Sequence, residues 1–205
     1  AAMAQGRWAD AERLFRQSLD LDPYAFEPRL AHAMALIRLG RFQPAVPILR
    51  ELVTERPERS DARMELARSL SALSLHEEAA NHWRALADQF PDNAEHYREF
   101  ALSLLYSGNI DEARTAAQRA AGLDPSNIRG LLILADIAES AAEPAEAADQ
   151  LRTLIQRTEA PVSRARLRMR LCENLHRLHQ ETRKNFLSNP SSKRPVGPFA
   201  TIPGL

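Results

Sequence analysis

Cys172, His176 and His179 stand at i, i+4 and i+7, so a helix through them would carry a thiol and two imidazoles on one face. Thiolate and imidazole are ready donors for zinc. A structural zinc site wants a fourth ligand, and the flanking sequence offers none. Cys172 also falls on a position that packs as a small core residue, with the histidines at the helix edge. The expectation is therefore no metal and no cofactor. Gly-rich phosphate loops, GxSxG, HExxH and CxxC are all absent from the sequence. His82 and His96 flank a loop and read as solvated. The pairs Glu77–Glu78 and Asp111–Glu112 fall in first helical turns, where carboxylates favour the helix N-terminus and need no catalytic role. The chain reads as a non-enzyme without catalytic residues.

A second constellation is cationic. Arg38, Arg68 and Arg98 recur every 30 residues. On stacked helical units they would step back one turn per unit and form a diagonal ladder. Guanidinium groups in a row suit peptide carboxylates held in bidentate pairs. Glu65 and Glu99 stand nearby and would neutralise them instead; the sequence leaves both readings open.

The frame for these residues is a repeat. Pro23, Pro57, Pro91 and Pro125 lie 34 residues apart, each closing a helical stretch (DLDP, TERP, DQFP, GLDP). A fixed period of this length means one supersecondary unit stacked on its copies, because a single unit cannot bury its apolar face. With the closing proline numbered 32, position 8 reads Ala33, Ala67, Ala101 and Ala135, and position 20 reads Ala11, Ala45, Ala79, Ala113 and Ala147. Alanine there lets two antiparallel helices approach closely. Position 24 is mostly bulky, as Phe15, Leu49, Trp83 and Leu151, with Ala117 the exception. Position 15 is Gly6, Gly40, Ser74, Gly108 and Ala142, small enough for a tight turn with left-handed backbone.

These columns, with the phrases GRWADAERLF, GRFQPAVPIL and GNIDEARTAA, resemble the tetratricopeptide repeat (TPR) family over residues 1 to about 160. The resemblance implies an all-α fold, a right-handed TPR superhelix (α-solenoid) of antiparallel helix pairs with a C-terminal capping helix. It also implies that first helices line a concave groove through unit positions 2, 5, 6, 9, 12 and 13. On this chain the lining would be Leu30, Met34, Ile37 and Arg38, then Met64, Glu65, Arg68 and Ser71. It would continue with Arg98, Glu99, Leu102, Leu105 and Tyr106, then Leu132, Ile133, Asp136 and Glu139. Large apolar residues exposed on such a face mark a binding site. The function implied is a protein–protein interaction scaffold that holds a peptide or protein segment in the groove. The alternative is an accessory, substrate-recruiting region of a larger enzyme or secretion or assembly machine. Chaperone-binding members of the family hold a terminal carboxylate with Lys at position 5 and Asn at positions 9 and 13. Leu30, Met34 and Arg38 stand there in the first full unit, so that clamp is not expected.

The periodicity predicts helices over residues 8–21, 26–39, 43–55, 60–73, 77–89, 94–107, 111–122, 128–141 and 145–157. Residues 1–6 read as the end of a truncated first helix, so the array would span 1–160. A capping helix over 161–185 is expected to follow. Residues 186–205 hold Pro190, Pro195, Pro198 and Pro203 and read as an extended tail or linker. Its apolar residues Val196, Phe199, Ile202 and Leu205 would suit the groove of a neighbouring molecule.

Charge and composition exclude little more. Lys+Arg and Asp+Glu are both 27, so no dominant basic field points to nucleic acid or an anionic membrane. No run of about 18 apolar residues would span a membrane. Arginine outnumbers lysine heavily, as a GC-rich genome would give, and a bacterial source is expected. The single cysteine forms no internal disulfide, which leaves cytoplasm and periplasm both open.

Overall fold

The computed structural model describes residues 7–188, and all regular structure among them is α-helical. The order is α1 (Trp8–Leu21), α2 (Phe26–Arg38), α3 (Phe42–Glu55), α4 (Ser60–Ala72), α5 (His76–Gln89), α6 (Ala94–Tyr106), α7 (Ile110–Leu123), α8 (Ile128–Ser140), α9 (Pro144–Arg157) and α10 (Pro161–Ser188). The limits of α1 to α9 fall within one residue of those read from the repeat. The last helix runs on to Ser188, past the boundary expected at 185. Pro47 lies inside α3 without ending it.

Each unit turns on one left-handed residue at position 15. Gly40, Ser74, Gly108 and Ala142 have φ of +73°, +60°, +85° and +57°. The same two hydrogen bonds close every turn. In the first, Gly40 N–H donates to Ile37 O and Arg41 N–H donates to Leu36 O, both at 2.9 Å. The equivalents of the second bond run from Leu75 to Leu70, from Asn109 to Leu104 and from Glu143 to Ala138. This Schellman pattern satisfies the end carbonyls of the first helix and aims the chain back along it. Ser74 and Ala142 adopt it without glycine's freedom, so the bonds and the packing hold them there.

The alanine columns do what their size allows. Ala33, Ala67, Ala101 and Ala135 are fully buried, as are Ala45, Ala79, Ala113 and Ala147. Leu49, Trp83 and Leu151 fill the space beside them. One continuous cluster runs from Phe26 to Ile137, as stacked units require. The second helices of successive units are joined by ion pairs on the outer surface, Arg50 with Glu78, Arg84 with Glu112 and Arg114 with Glu146. Across units the first helices approach one another, α2 to α4 and α6 to α8. The first-helix side is therefore the inner side of an antiparallel α-solenoid.

Helix α10 packs on α9, with Leu167 and Leu171 against Ala135, Leu151 and Leu154. Arg170 reaches Asp136 at 2.6 Å and Glu139 at 2.8 Å, both on α8. Asn174 is buried and donates to Glu139 at 2.8 Å.

Candidate peptide-binding groove

Helices α6 and α8 build the site, and each begins on an asparagine cap. Asn93 Oδ1 accepts from the N–H groups of Glu95 and His96, and Asn127 Oδ1 accepts from Arg129 N–H. These caps fix where each helix starts and so the phase of its inner face. From there Glu95, Arg98, Glu99, Leu102 and Tyr106 share one stripe of α6 at helical spacing. Arg129, Leu132, Ile133 and Asp136 form the facing stripe of α8. The two stripes enclose a cleft of about 290 Å³. It continues past Tyr106 and Asp136 into a recess of about 450 Å³ bounded by Leu105, Glu139, Ser140 and Arg177 of α10. At the other end, Glu95 and Arg98 also line an open recess of about 640 Å³ at the turn around Pro91. The whole is a trough along α6. Glu95 to Tyr106 covers roughly 16 Å of it at ~1.5 Å per residue.

Its floor is apolar. Leu102 and Leu132 are half-buried, and Ile133 closes the bottom at 4% exposure. Tyr106 is 64% exposed, with its ring 5.0 Å from that of His76. A large aromatic side chain standing free at the rim of a concave apolar floor is suited to contact another chain.

The charged groups are mostly engaged within the chain. Arg68 pairs with Glu95 at 3.0 Å and lies 3.8 Å from Glu65. Arg98 lies 3.5 Å from Asp124 without hydrogen-bond alignment, so its buried Nη1 has no hydrogen-bond partner among the described residues. Arg38 lies 5.8 Å over the Trp8 ring. The three arginines do not stand as a free carboxylate ladder. Asp136 is held by Arg170, although burial pushes its carboxyl above the usual range. Glu99 differs: its half-buried carboxylate makes no ion pair or hydrogen bond among the described residues, and burial pushes its pKa up. Arg68, Arg98 and Arg129 pull it down, and Glu95 adds to the rise.

Several expected positions lie elsewhere than the sequence suggested. Leu30 and Glu65 are buried, and Leu30 belongs to the core cluster. Leu30 thus acts as packing, because the inner face meets the inter-helix core along this column. Met34, Ile37, Met64 and Leu105 are half-buried against that core. Ser71 is half-buried, with an Oγ that has no partner among the described residues. His96 is buried rather than solvated; its Nδ1 sits 3.3 Å from Leu86 O and its ring 5.5 Å from that of Phe90. Cys172 is exposed, since α10 packs through its opposite face. Among the described residues no group of three His, Cys, Asp or Glu is placed to hold a metal ion. Val196, Phe199, Ile202 and Leu205 lie outside the described residues. Glu95, Arg129 and Arg177 line the trough and were not singled out from the sequence. Glu95 and Arg129 occupy unit position 2, an inward column that applied to them as well.

Paired helices on a 34-residue pitch with an open inner trough define a helical-repeat scaffold. The tetratricopeptide repeat family model matches residues 30–94 and 98–162, and a second model of the same description matches 2–53. The chain belongs to the tetratricopeptide repeat family and is a protein–protein interaction scaffold. Among solved structures it is similar to MamA from Desulfovibrio magneticus RS-1, with 20% identity over 76% of this chain and 88% of that one, and a TM-score of 0.72. It is also similar to TTC0263, a thermophilic TPR protein of Thermus thermophilus, with 22% identity over 84% of this chain and 93% of that one, and a TM-score of 0.58. At this identity the likeness concerns the fold. Searched against curated protein sequences, the chain finds no match. No described helix is long and apolar enough to cross a membrane.

Proposed function

We propose that the scaffold holds a peptide or protein segment of its partner in the trough between α6 and α8, without catalysing a reaction on it. The carrying observation is the apolar floor of Leu102, Leu132 and Ile133 beneath the exposed ring of Tyr106. Helix α10 closes the array and supplies Arg177 as the end wall. A second reading rests on the sequence of the tail: Val196, Phe199, Ile202 and Leu205 give an apolar strip that would lie in the trough of a neighbouring molecule.

The test is site-specific photo-crosslinking in the source cell. A benzophenone amino acid replaces Tyr106 in one sample and Tyr24, exposed at the far end of the array, in another. Adducts at 106 and none at 24 are expected, and Leu132→Asp should abolish them. Equal adducts at both positions, or adducts that survive Leu132→Asp, would remove the trough from the reading. Adducts at 106 with a second copy of the chain would favour the tail as occupant.

A further inference from the structure

We propose that the trough selects a partner segment bearing a lysine or arginine beside bulky apolar side chains, with Glu99 receiving the cation. This rests on the reading that the trough is the binding seat. The arginines near Glu99 form their ion pairs elsewhere, Arg68 with Glu95 and Glu65, and Arg98 with Asp124 at 3.5 Å, and neither of them pairs with Glu99. Asp136 is committed to Arg170. Arg129 is exposed to water, where its charge is screened and discriminates little. Glu99 is the lining carboxylate left without an ion pair among the described residues. It stands half-buried beside an apolar floor, where an unpaired carboxylate has lost hydration that a cation would replace.

The charge of the array agrees. Residues 7–160 carry 25 Asp and Glu against 18 Arg, whereas residues 161–188 carry seven Lys and Arg against two Glu. The repeat body is net negative and draws basic segments toward it. Arg177 at the α10 end of the trough repels a second cation there. The occupant we propose is a segment of another protein, its cation at the Glu99 end and its apolar side chains over Leu102 and Leu132.

Fluorescence anisotropy on the full chain tests this with three labelled nonapeptides. They share Leu and Phe anchors and carry Lys, norleucine or Glu at one position to the same side of both anchors. The Lys peptide should bind about tenfold more tightly than the Glu peptide, and Glu99→Gln should shrink that ratio to under about threefold. Glu99→Lys should reverse the order, with far-UV circular dichroism confirming that both variants stay folded. Equal binding of the three peptides would overturn the proposal. So would a preference that survives Glu99→Gln, or no binding of the Lys peptide. If crosslinks at position 106 persist in any of those cases, the trough remains the seat and only its charge selection falls.

Discussion

A Cβ placed on Gly130 would lie 3.3 Å from both the Cα and the Cβ of Ala121. The first turn of α8 thus presses on α7 at a point where no side chain fits freely. Gly122, nearby on α7, has nothing within 4 Å of the same imagined atom.

The two glycines should therefore respond differently to alanine. Gly122→Ala is expected to stabilise the array by about 0.5–1 kcal/mol, from helix propensity and a less free unfolded chain. Gly130→Ala gains the same propensity but drives a methyl against the Ala121 backbone, and it should be neutral or destabilising. Urea unfolding of both variants checks this. A Gly130→Ala protein as stabilised as Gly122→Ala would mean that α7 and α8 separate more easily than the contact implies.

Arg170 should anchor α10 to the array. Removing its guanidinium leaves Asp136 and Glu139 facing each other without their shared cation. Arg170→Ala is expected to cost about 1–3 kcal/mol. Amide exchange should accelerate in α10 first and leave α4 and α5 unchanged. Restoring part of the loss with Asp136→Asn in the same chain would assign the cost to the stranded carboxylates.

Acid should weaken the fold before the carboxylate range is reached. Burial lowers the pKa of His32, His82 and His96, so the folded chain takes up these protons at lower pH than the unfolded chain does. Below about pH 6.5 the unfolded chain binds protons that the folded chain refuses, so stability falls as the pH drops from 7 toward 5. Glu99 and Asp136 act in the opposite sense, because their raised pKa values favour proton uptake by the folded state. Denaturation midpoints between pH 5 and pH 7.5 measure the slope. Replacing the three histidines with Gln should flatten it, and an unchanged slope would move its origin elsewhere.

The repeat was legible because its columns are dictated at the backbone. Helix pairs at this spacing leave room for alanine and little else, so Ala33, Ala67, Ala101 and Ala135 announce themselves. The turn was legible at Gly40 and Gly108; Ser74 and Ala142 show that the closing bonds impose left-handed backbone even without glycine. The site was legible only in part. Arg68 and Arg98 find Glu95 and Asp124, 27 and 26 residues away, and local sequence does not announce such partners. The sequence left open whether Glu99 neutralises an arginine; in the structure it makes no ion pair among the described residues. Leu30 sank into the core because its inward column borders the helix interface.

The trough depends on two first helices set one repeat apart; α2 and α4 also approach one another, though less extensively than α6 and α8. On the proposed reading, each neighbouring pair of first helices is a candidate berth of like backbone and unlike lining. A berth can change its guest through surface substitutions that leave the frame untouched, and duplication of a unit would add a berth while preserving the rest.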